Sequence, residues 1–342
     1  MLDFTSALYL GMRHPAAALA PWSSLTLGQP AALQEPPGAQ ALAADLAALQ
    51  RCEAACLLPS TLHLFWDLFG MLAAERLVVL VDGGSYAIAR WGAERAQALG
   101  LPLRLFPSGE MAALLRLVET WGRQGRRPLI LADGYVPGSE QLLPLAGYAA
   151  LAQQGGGYLL LDDTQVLGVM GTQGGGSARL HGLQGESLII GASLAKGFGV
   201  PLAVLAGSRK LLRRFAAHSQ TRVHASPPSA AVLAAARRAL ALNVRHGDVL
   251  RARLADRVAQ WRTGMAAAGI VCRGGSFPVQ RLPGRAHLQP ALRAAGVLAL
   301  AQAGDGPGAL TFLLRADQTP RQLEQAMNLL EHHIRRRYAR SV

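Results

Sequence analysis

The chain has 342 residues, with 34 Lys or Arg against 21 Asp or Glu, a formal net charge of +13, 51% hydrophobic residues and only 16% charged ones. That composition excludes a disordered chain, and the length points to two domains or one large α/β domain with an appendage. No uncharged apolar run reaches the roughly 18–20 residues needed to span a bilayer, so no membrane partner is expected. The basic excess is scattered arginine except in HHIRRRYAR (332–340). It lacks the aromatic interleaving that stacks bases, which argues against nucleic acid and makes that tail a solvated helix end.

The first residues, MLDFTSALYLGMRHP, carry no basic stretch ahead of an apolar one. This argues against a secretory signal and makes a cytoplasmic location the expectation. Residues 1–45 read as an N-terminal arm with QPAALQEPPGAQ as a linker, and CEAAC (52–56) looks helical. Cys52, Cys56 and Cys272 form no even framework and are assigned no function.

Over 46–235, short apolar runs alternate with amphipathic stretches, the pattern of βα units feeding a buried, largely parallel sheet. The expected strands are RLVVLVD (76–82), RPLILAD (127–133), GYLLLDD (157–163), SLIIGAS (187–193) and LAVLAG (202–207). Asp82, Asp133, Asp162 and Ser193 close four of them, at the edge where ligands gather in open α/β sheets. After HASPPSAA (224–231) the pattern changes. A helix through about residue 268, broken near RHGD, is expected to precede strands around 270–281 and 308–315, and a last helix opens at Thr319-Pro320. These make 236–342 a smaller α+β domain.

A chain that otherwise uses arginine has lysine only at 196 and 210. Lys196 directly follows the strand SLIIGAS. Burial there would lower its pKa and give the neutral amine that Schiff-base chemistry requires, which a guanidinium cannot supply. Composition alone leaves chance survival equally open. Asp162 ends a strand one crossover earlier and could face the same pocket, or simply cap the following turn. Ser60 and Thr61 open the apolar helix of PSTLHLFWDLF, where free amides and hydroxyls suit a phosphate that Ser193 could also reach. Tyr86, just past Asp82, could stack on a planar ring.

In this order, SALYLGM, DGGSYA, LADGYVPGSEQLLPL, LLLDDTQVLGVMGTQGGGS, SLAKGFGVPLAVLAGS and HASPPSA resemble the α-oxoamine synthases, a family of fold-type I pyridoxal-phosphate enzymes, well over residues 5–230 and loosely beyond. The resemblance implies a large α/β domain with a mostly parallel, seven-stranded-type sheet between helices, and a smaller C-terminal α+β domain. It implies a homodimer that condenses an amino acid with an acyl thioester, on coenzyme A or a carrier protein. The cofactor would be pyridoxal 5'-phosphate, bound covalently by Lys196. Asp162 would partner its ring nitrogen and Ser193, Ser60 and Thr61 its phosphate, with Tyr86 in place of a stacking histidine.

The chain departs from the family pattern in four places. Gln165 of Asp162-Asp163-Thr164-Gln165 replaces the histidine of Asp-Glu-Ala-His, and can donate a hydrogen bond to the cofactor but cannot shuttle a proton. Thr311 stands nearest the place of the arginine that grips the substrate carboxylate, with Arg315 four residues on. STLHL lacks the glycine of the phosphate loop, and ASPP lacks a hydroxyl pattern. Two alternatives therefore stand beside the acyltransferase: an aminotransferase or other carbanion chemistry on this scaffold, or a non-catalytic binding module.

Overall fold

The structure is a computed structural model that describes residues 1–304 and 306–338. Contacts divide the chain into two units: Arg13–Val136 with Leu143–Arg245, and Met1–Met12 with Pro137–Leu142 and the chain from His246 onward.

The chain opens with β1 (Leu2–Asp3), which belongs to the second unit. The first unit then runs α1 (Ala39–Leu49), β2 (Ala54–Leu58), α2 (Thr61–Leu72), β3 (Leu77–Asp82) and α3 (Ala87–Ala98). It continues with β4 (Leu103–Phe106), α4 (Met111–Gly122), β5 (Arg127–Asp133), α5 (Leu145–Gln154) and β6 (Tyr158–Asp162). Next come α6 (Gly176–His181), β7 (Leu188–Ser193), β8 (Ala203–Gly207), α7 (Arg209–His218) and α8 (Gln220–His224).

Its strands form one seven-stranded sheet in the order β2-β8-β7-β6-β5-β3-β4. From β4 through β7 every pairing is parallel. β3, β5, β6 and β7 are near-continuous apolar runs because both faces are covered. Leu77, Val79 and Val81 pack with Phe65 and Leu68 of α2, whereas Val78 and Leu80 point the other way, among Leu114 of α4 and Tyr148 of α5. Each fully buried Leu or Val side chain contributes about 1.5–3 kcal/mol of apolar transfer. Where β6 starts, Gly157 is required by close approach, since a Cβ there would stand 1.8 Å from the Pro128 carbonyl oxygen.

Two local expectations change. LAVLAG becomes β8, antiparallel to both β7 and β2. The connection Leu194–Leu202 is too short for the crossover that a parallel pairing needs. The segment at CEAAC is not a helix: Ala54–Leu58 is β2, paired residue by residue with β8. An alanine-rich run has little strand propensity of its own, and the neighbouring backbone decides its conformation. Burial pushes the Cys56 thiol up to about 11 and the Cys52 thiol up to about 12, so neither is a reactive thiolate near neutrality.

In the second unit, β12 (Gly306–Leu313) lies between β11 (Leu300–Gly304) and β9 (Val279–Pro283), antiparallel to both. β1 pairs in parallel with β10 (Val297–Leu298), which follows the short α10 (Gln289–Ala294). The Phe4 ring sits 5.6 Å from Trp261 and 5.6 Å from Phe312, so the first twelve residues are built into this core.

The helix expected to break near RHGD does not: α9 (Ala230–Ala267) is continuous, because one interior glycine costs only about 1 kcal/mol. α11 (Pro320–Tyr338) opens as anticipated at Pro320. The Thr319 hydroxyl accepts from the Gln322 amide at 3.2 Å, and the Gln322 side chain accepts from the Thr319 amide at 2.8 Å, a reciprocal cap. The HHIRRRYAR segment is helical to Tyr338, and its last two residues lie outside the described ones. Among the described residues no helix is long and apolar enough to cross a membrane.

Candidate active site

Four polar side chains end β3, β5, β6 and β7 at the carboxyl edge of the sheet, as their sequence positions implied. Register pairs Asp133 with Asp162 and Asp162 with Gly191, which puts two buried carboxyl groups on adjacent parallel strands. The Asp162 carboxylate accepts the Thr164 amide at 3.0 Å. The Thr164 hydroxyl in turn accepts the Ser193 amide at 2.9 Å, so this one residue ties the ends of β6 and β7 together.

Lys196 sits in the turn after β7. That turn is fixed at its start by the Ser193 hydroxyl, which accepts the Ala195 amide at 3.2 Å. It is fixed behind by backbone contact, because a Cβ on Gly197 would stand 2.3 Å from the Leu167 carbonyl oxygen. This is why glycine follows the lysine. His14 adds a clamp: its Nε2 lies 2.7 Å from the Phe198 carbonyl oxygen, and Arg238 donates to Nδ1 at 3.2 Å. Since Nδ1 accepts, Nε2 carries the hydrogen and donates.

Burial lowers the Lys196 pKa, opposed by the charges of Asp162 and Asp133. Burial likewise raises Asp162, with the Thr164 hydrogen bonds and Lys196 holding it down. Asp133 is raised well above the usual carboxylate range by burial and by Asp162 beside it. A second pair of acids at the β6 end thus differs in role: Asp163 is fully buried, accepts the Ser177 amide at 2.7 Å, and is raised by burial to about 6.

The Tyr86 ring lies 5.7 Å from Lys196 Nζ and is 58% exposed, open to a planar ligand. Gln165 is buried in the turn following Asp162. Ser60 caps α2, its hydroxyl accepting the His63 amide at 3.4 Å and lying 2.8 Å from His63 Nδ1. Leu58 and Ser193 both register against Ala203, so Ser60 and Thr61 emerge two strands from Ser193 on the same edge of the sheet. The structure therefore gathers Lys196, Asp162, Tyr86 and Ser193 at one edge and brings Ser60 and Thr61 to its end. Arg315, four residues beyond Thr311, is taken up inside its own unit. It donates to the Asp317 carboxylate at 2.9 Å and to the Asp3 carbonyl at 3.0 Å.

Sequence reasoning did not find the Thr164 tie, the His14 clamp or the bond from the Tyr86 amide to Asp133 at 3.0 Å. Each involves a backbone group whose partner is set only by the folded register.

A family model for aminotransferase class I and II matches residues 132–330, from the end of β5 into α11 and across Asp133, Asp162 and Lys196. The chain belongs to the aminotransferase class I and II family. Within that family it is similar to a protein of Thermosynechococcus vestitus that carries the provisional name 8-amino-7-oxononanoate synthase. The two are 29% identical over 96% of this chain and 88% of the relative. The 8-amino-7-oxononanoate synthase of Geobacter metallireducens is 35% identical over 49% of this chain, and that match spans 43% of the relative.

Among solved structures, the 8-amino-7-oxononanoate synthase of Francisella tularensis superposes with a TM-score of 0.79 at 17% identity, over 99% of both chains. A variant serine palmitoyltransferase from S. paucimobilis, solved with a bound PLP–myriocin aldimine, gives 0.85 at 16% identity over 96% of this chain and 86% of that one. The family member described here thus has the fold of the fold-type I pyridoxal-phosphate-dependent transferases, with the mostly parallel seven-stranded sheet anticipated from its strand pattern.

Proposed function

We propose that the protein is a pyridoxal-phosphate-dependent acyltransferase that condenses an amino acid with an acyl thioester. The observation that carries this reading is Lys196, an amine whose pKa burial lowers, facing Asp162 and lying 5.7 Å from an open aromatic ring. The residues present fit the cofactor. Lys196 offers the amine that would hold it, Asp162 a buried carboxylate for its ring nitrogen, and Tyr86 a face to stack on. Ser193 and the α2 start at Ser60 and Thr61 offer hydroxyls and amides to its phosphate.

When bound, pyridoxal phosphate supplies an electron sink beside the α-carbon of an amino acid. In the overall reaction the amino acid's carboxylate leaves as carbon dioxide, and the α-carbon joins the acyl carbonyl carbon. The thiolate departs and takes up a proton, so no oxidant or reductant is needed. Lys196 moves the proton at the α-carbon. Gln165 donates a hydrogen bond and cannot take that proton over, which leaves Lys196 as the acid/base of the site. The +13 net charge favours an anionic thioester bearer, either coenzyme A or an acidic carrier protein.

The test is the visible spectrum of the chain mixed with pyridoxal phosphate, wild type against Lys196→Ala, then titrated with single amino acids and with an acyl thioester. The expected result is a lysine-dependent band that shifts with one amino acid, and thiol release only when both substrates are present. A wild-type spectrum identical to that of Lys196→Ala overturns the reading.

The same reading includes a homodimer in the cytoplasm. The dimer is supported by Leu62 and Trp66, one turn apart on α2, and Trp91 on α3, large apolar side chains that are 47%, 45% and 51% exposed and that self-association would cover. Sedimentation should give twice the chain mass for wild type and the single-chain mass for Trp66→Glu. A wild-type monomer at micromolar concentration would refute the dimer.

A further inference from the structure

Asp133 has no part in the reading above, yet it holds a central place at the sheet edge. Its Oδ1 accepts the amide of Tyr86, the residue that caps α3. The loop from β3 to that cap is pinned at its other end by Asp82. There Oδ1 accepts the Gly84 amide at 2.8 Å, and Oδ2 accepts the Tyr148 hydroxyl at 2.7 Å and the Gly109 amide at 3.1 Å. The loop is tight between these anchors: a Cβ on Gly84 would stand 2.7 Å from Val136 and 2.9 Å from the Ser108 hydroxyl. The Tyr86 ring, by contrast, is mostly exposed. Little packing holds it, so its position follows from its backbone, and its backbone is held by Asp133.

Charge gives the same residue a second role. Asp133 is beside Asp162 on β6, faces Asp82 on β3, and both Asp133 and Asp162 face Lys196 beyond β7. Two adjacent buried carboxylates cannot both ionise at little cost, which favours one proton and one charge over two charges in the pair. Asp162 has hydrogen bonds from the amide and hydroxyl of Thr164 that favour its ionised form, while Asp133 has the Tyr86 amide alone and two acidic neighbours.

We propose that Asp133 is a positioning residue of the candidate site: it sets where the Tyr86 ring stands over Lys196, and it is the member of the Asp133–Asp162 pair that keeps the proton. The pair then presents a single negative charge, on Asp162, to the lysine and to whatever cation the site binds. The proposal rests on the reading of Lys196 and Tyr86 as cofactor-holding residues. Its geometric content does not require the cofactor.

The chain's two lysines make a direct test possible. Reductive methylation of the full-length protein with ¹³C-formaldehyde labels Lys196, Lys210 and the N-terminal amine. Lys196→Arg and Lys210→Arg assign the two lysine signals. The Lys196 methyl signal reports its own pKa and, through ring-current shift, the position of Tyr86, with Tyr86→Leu as the reference for no ring. In Asp133→Asn, which keeps an acceptor for the Tyr86 amide and removes no charge, both the shift and the titration should match wild type. The double variant Asp133→Asn with Asp162→Asn, which leaves no carboxylate in the pair, should lower the Lys196 titration by about one unit or more. Asp133→Ala should move the methyl signal most of the way to the Tyr86→Leu value. If that variant does not fold, Asp133→Ser, too short to reach the amide, replaces it.

An unmoved ring-current shift in the Ala or Ser variant overturns the positioning role. A Lys196 pKa in Asp133→Asn that falls as far as in the double variant, or an Asp133 carboxyl ¹³C shift in the ionised range (assigned by its loss in Asp133→Asn), overturns the proton assignment. Adding pyridoxal phosphate to the unlabelled wild type keeps the two readings apart, since a missing visible band would sink the cofactor while the methyl shifts still decide Asp133.

Discussion

Lys196→Arg should leave the chain folded and cut turnover by at least about 10³-fold, whereas Lys210→Arg should change nothing measurable. The fold survives because Lys196 lies on a turn fixed by Ser193, Gly197 and His14 rather than by its own side chain, and a guanidinium can still pair with Asp162. Activity does not, because arginine stays protonated and is neither a nucleophile nor a base near neutrality. General acid–base catalysis alone supplies about 10²–10⁴-fold, and the proposed covalent role would add to it. Lys210 is exposed on α7 and is the internal control for a surface lysine in an arginine-rich chain. Equal activity of Lys196→Arg and wild type in a coupled thiol-release assay would show that position 196 needs only a cation.

The carboxyl edge that carries the candidate site was legible in the sequence because it depends on strands. The apolar runs of β3, β5, β6 and β7 need cover on both faces, their polar last residues mark where each leaves the core, and parallel neighbours follow from spacing. Lysine stood out at 196 because the surrounding composition disfavours it. What escaped was what non-local pairing decides. β2 is a strand because β8 lies beside it, and β8 runs antiparallel because its connection is short. β4 is an edge strand of four residues with Arg104 and Leu105 exposed, and the arginine breaks the apolar run that would have marked it. Asp133 was visible as a strand-end acid, but its hold on the Tyr86 amide is a contact across 47 positions of chain. Arg315, in sequence only a weak substitute for the missing carboxylate grip because it lies four residues past Thr311, is an internal anchor that donates to the Asp3 carbonyl near the start of the chain.

The second large effect concerns stability. Asp163→Asn should make the protein more stable above neutrality by about 3 kcal/mol, and by almost nothing near pH 4. The Asp163 carboxyl is completely buried, and burial raises its pKa from 3.8 to about 6, with hydrogen bonding from Ser177 holding it down and the charge of Asp162 raising it further. The folded protein therefore keeps a proton at pH values where the unfolded chain has already lost it. Between the unfolded value of 3.8 and the folded value of about 6 the native state binds more protons than the unfolded one, so stability from this group falls as pH rises through that window. Above it, the cost of an ionised buried carboxylate is present in full. Asparagine removes that cost and retains an oxygen to accept the Ser177 amide. Its new amide hydrogens can meet the Ser177 hydroxyl, which flanks the same Gly134 as Asp163 Oδ1. Urea unfolding of both proteins at several pH values between about 4 and 8 measures the difference directly. It should grow with pH and level off above about 7; a difference that is flat across the range would mean that Asp163 ionises in the folded chain as readily as in the unfolded one.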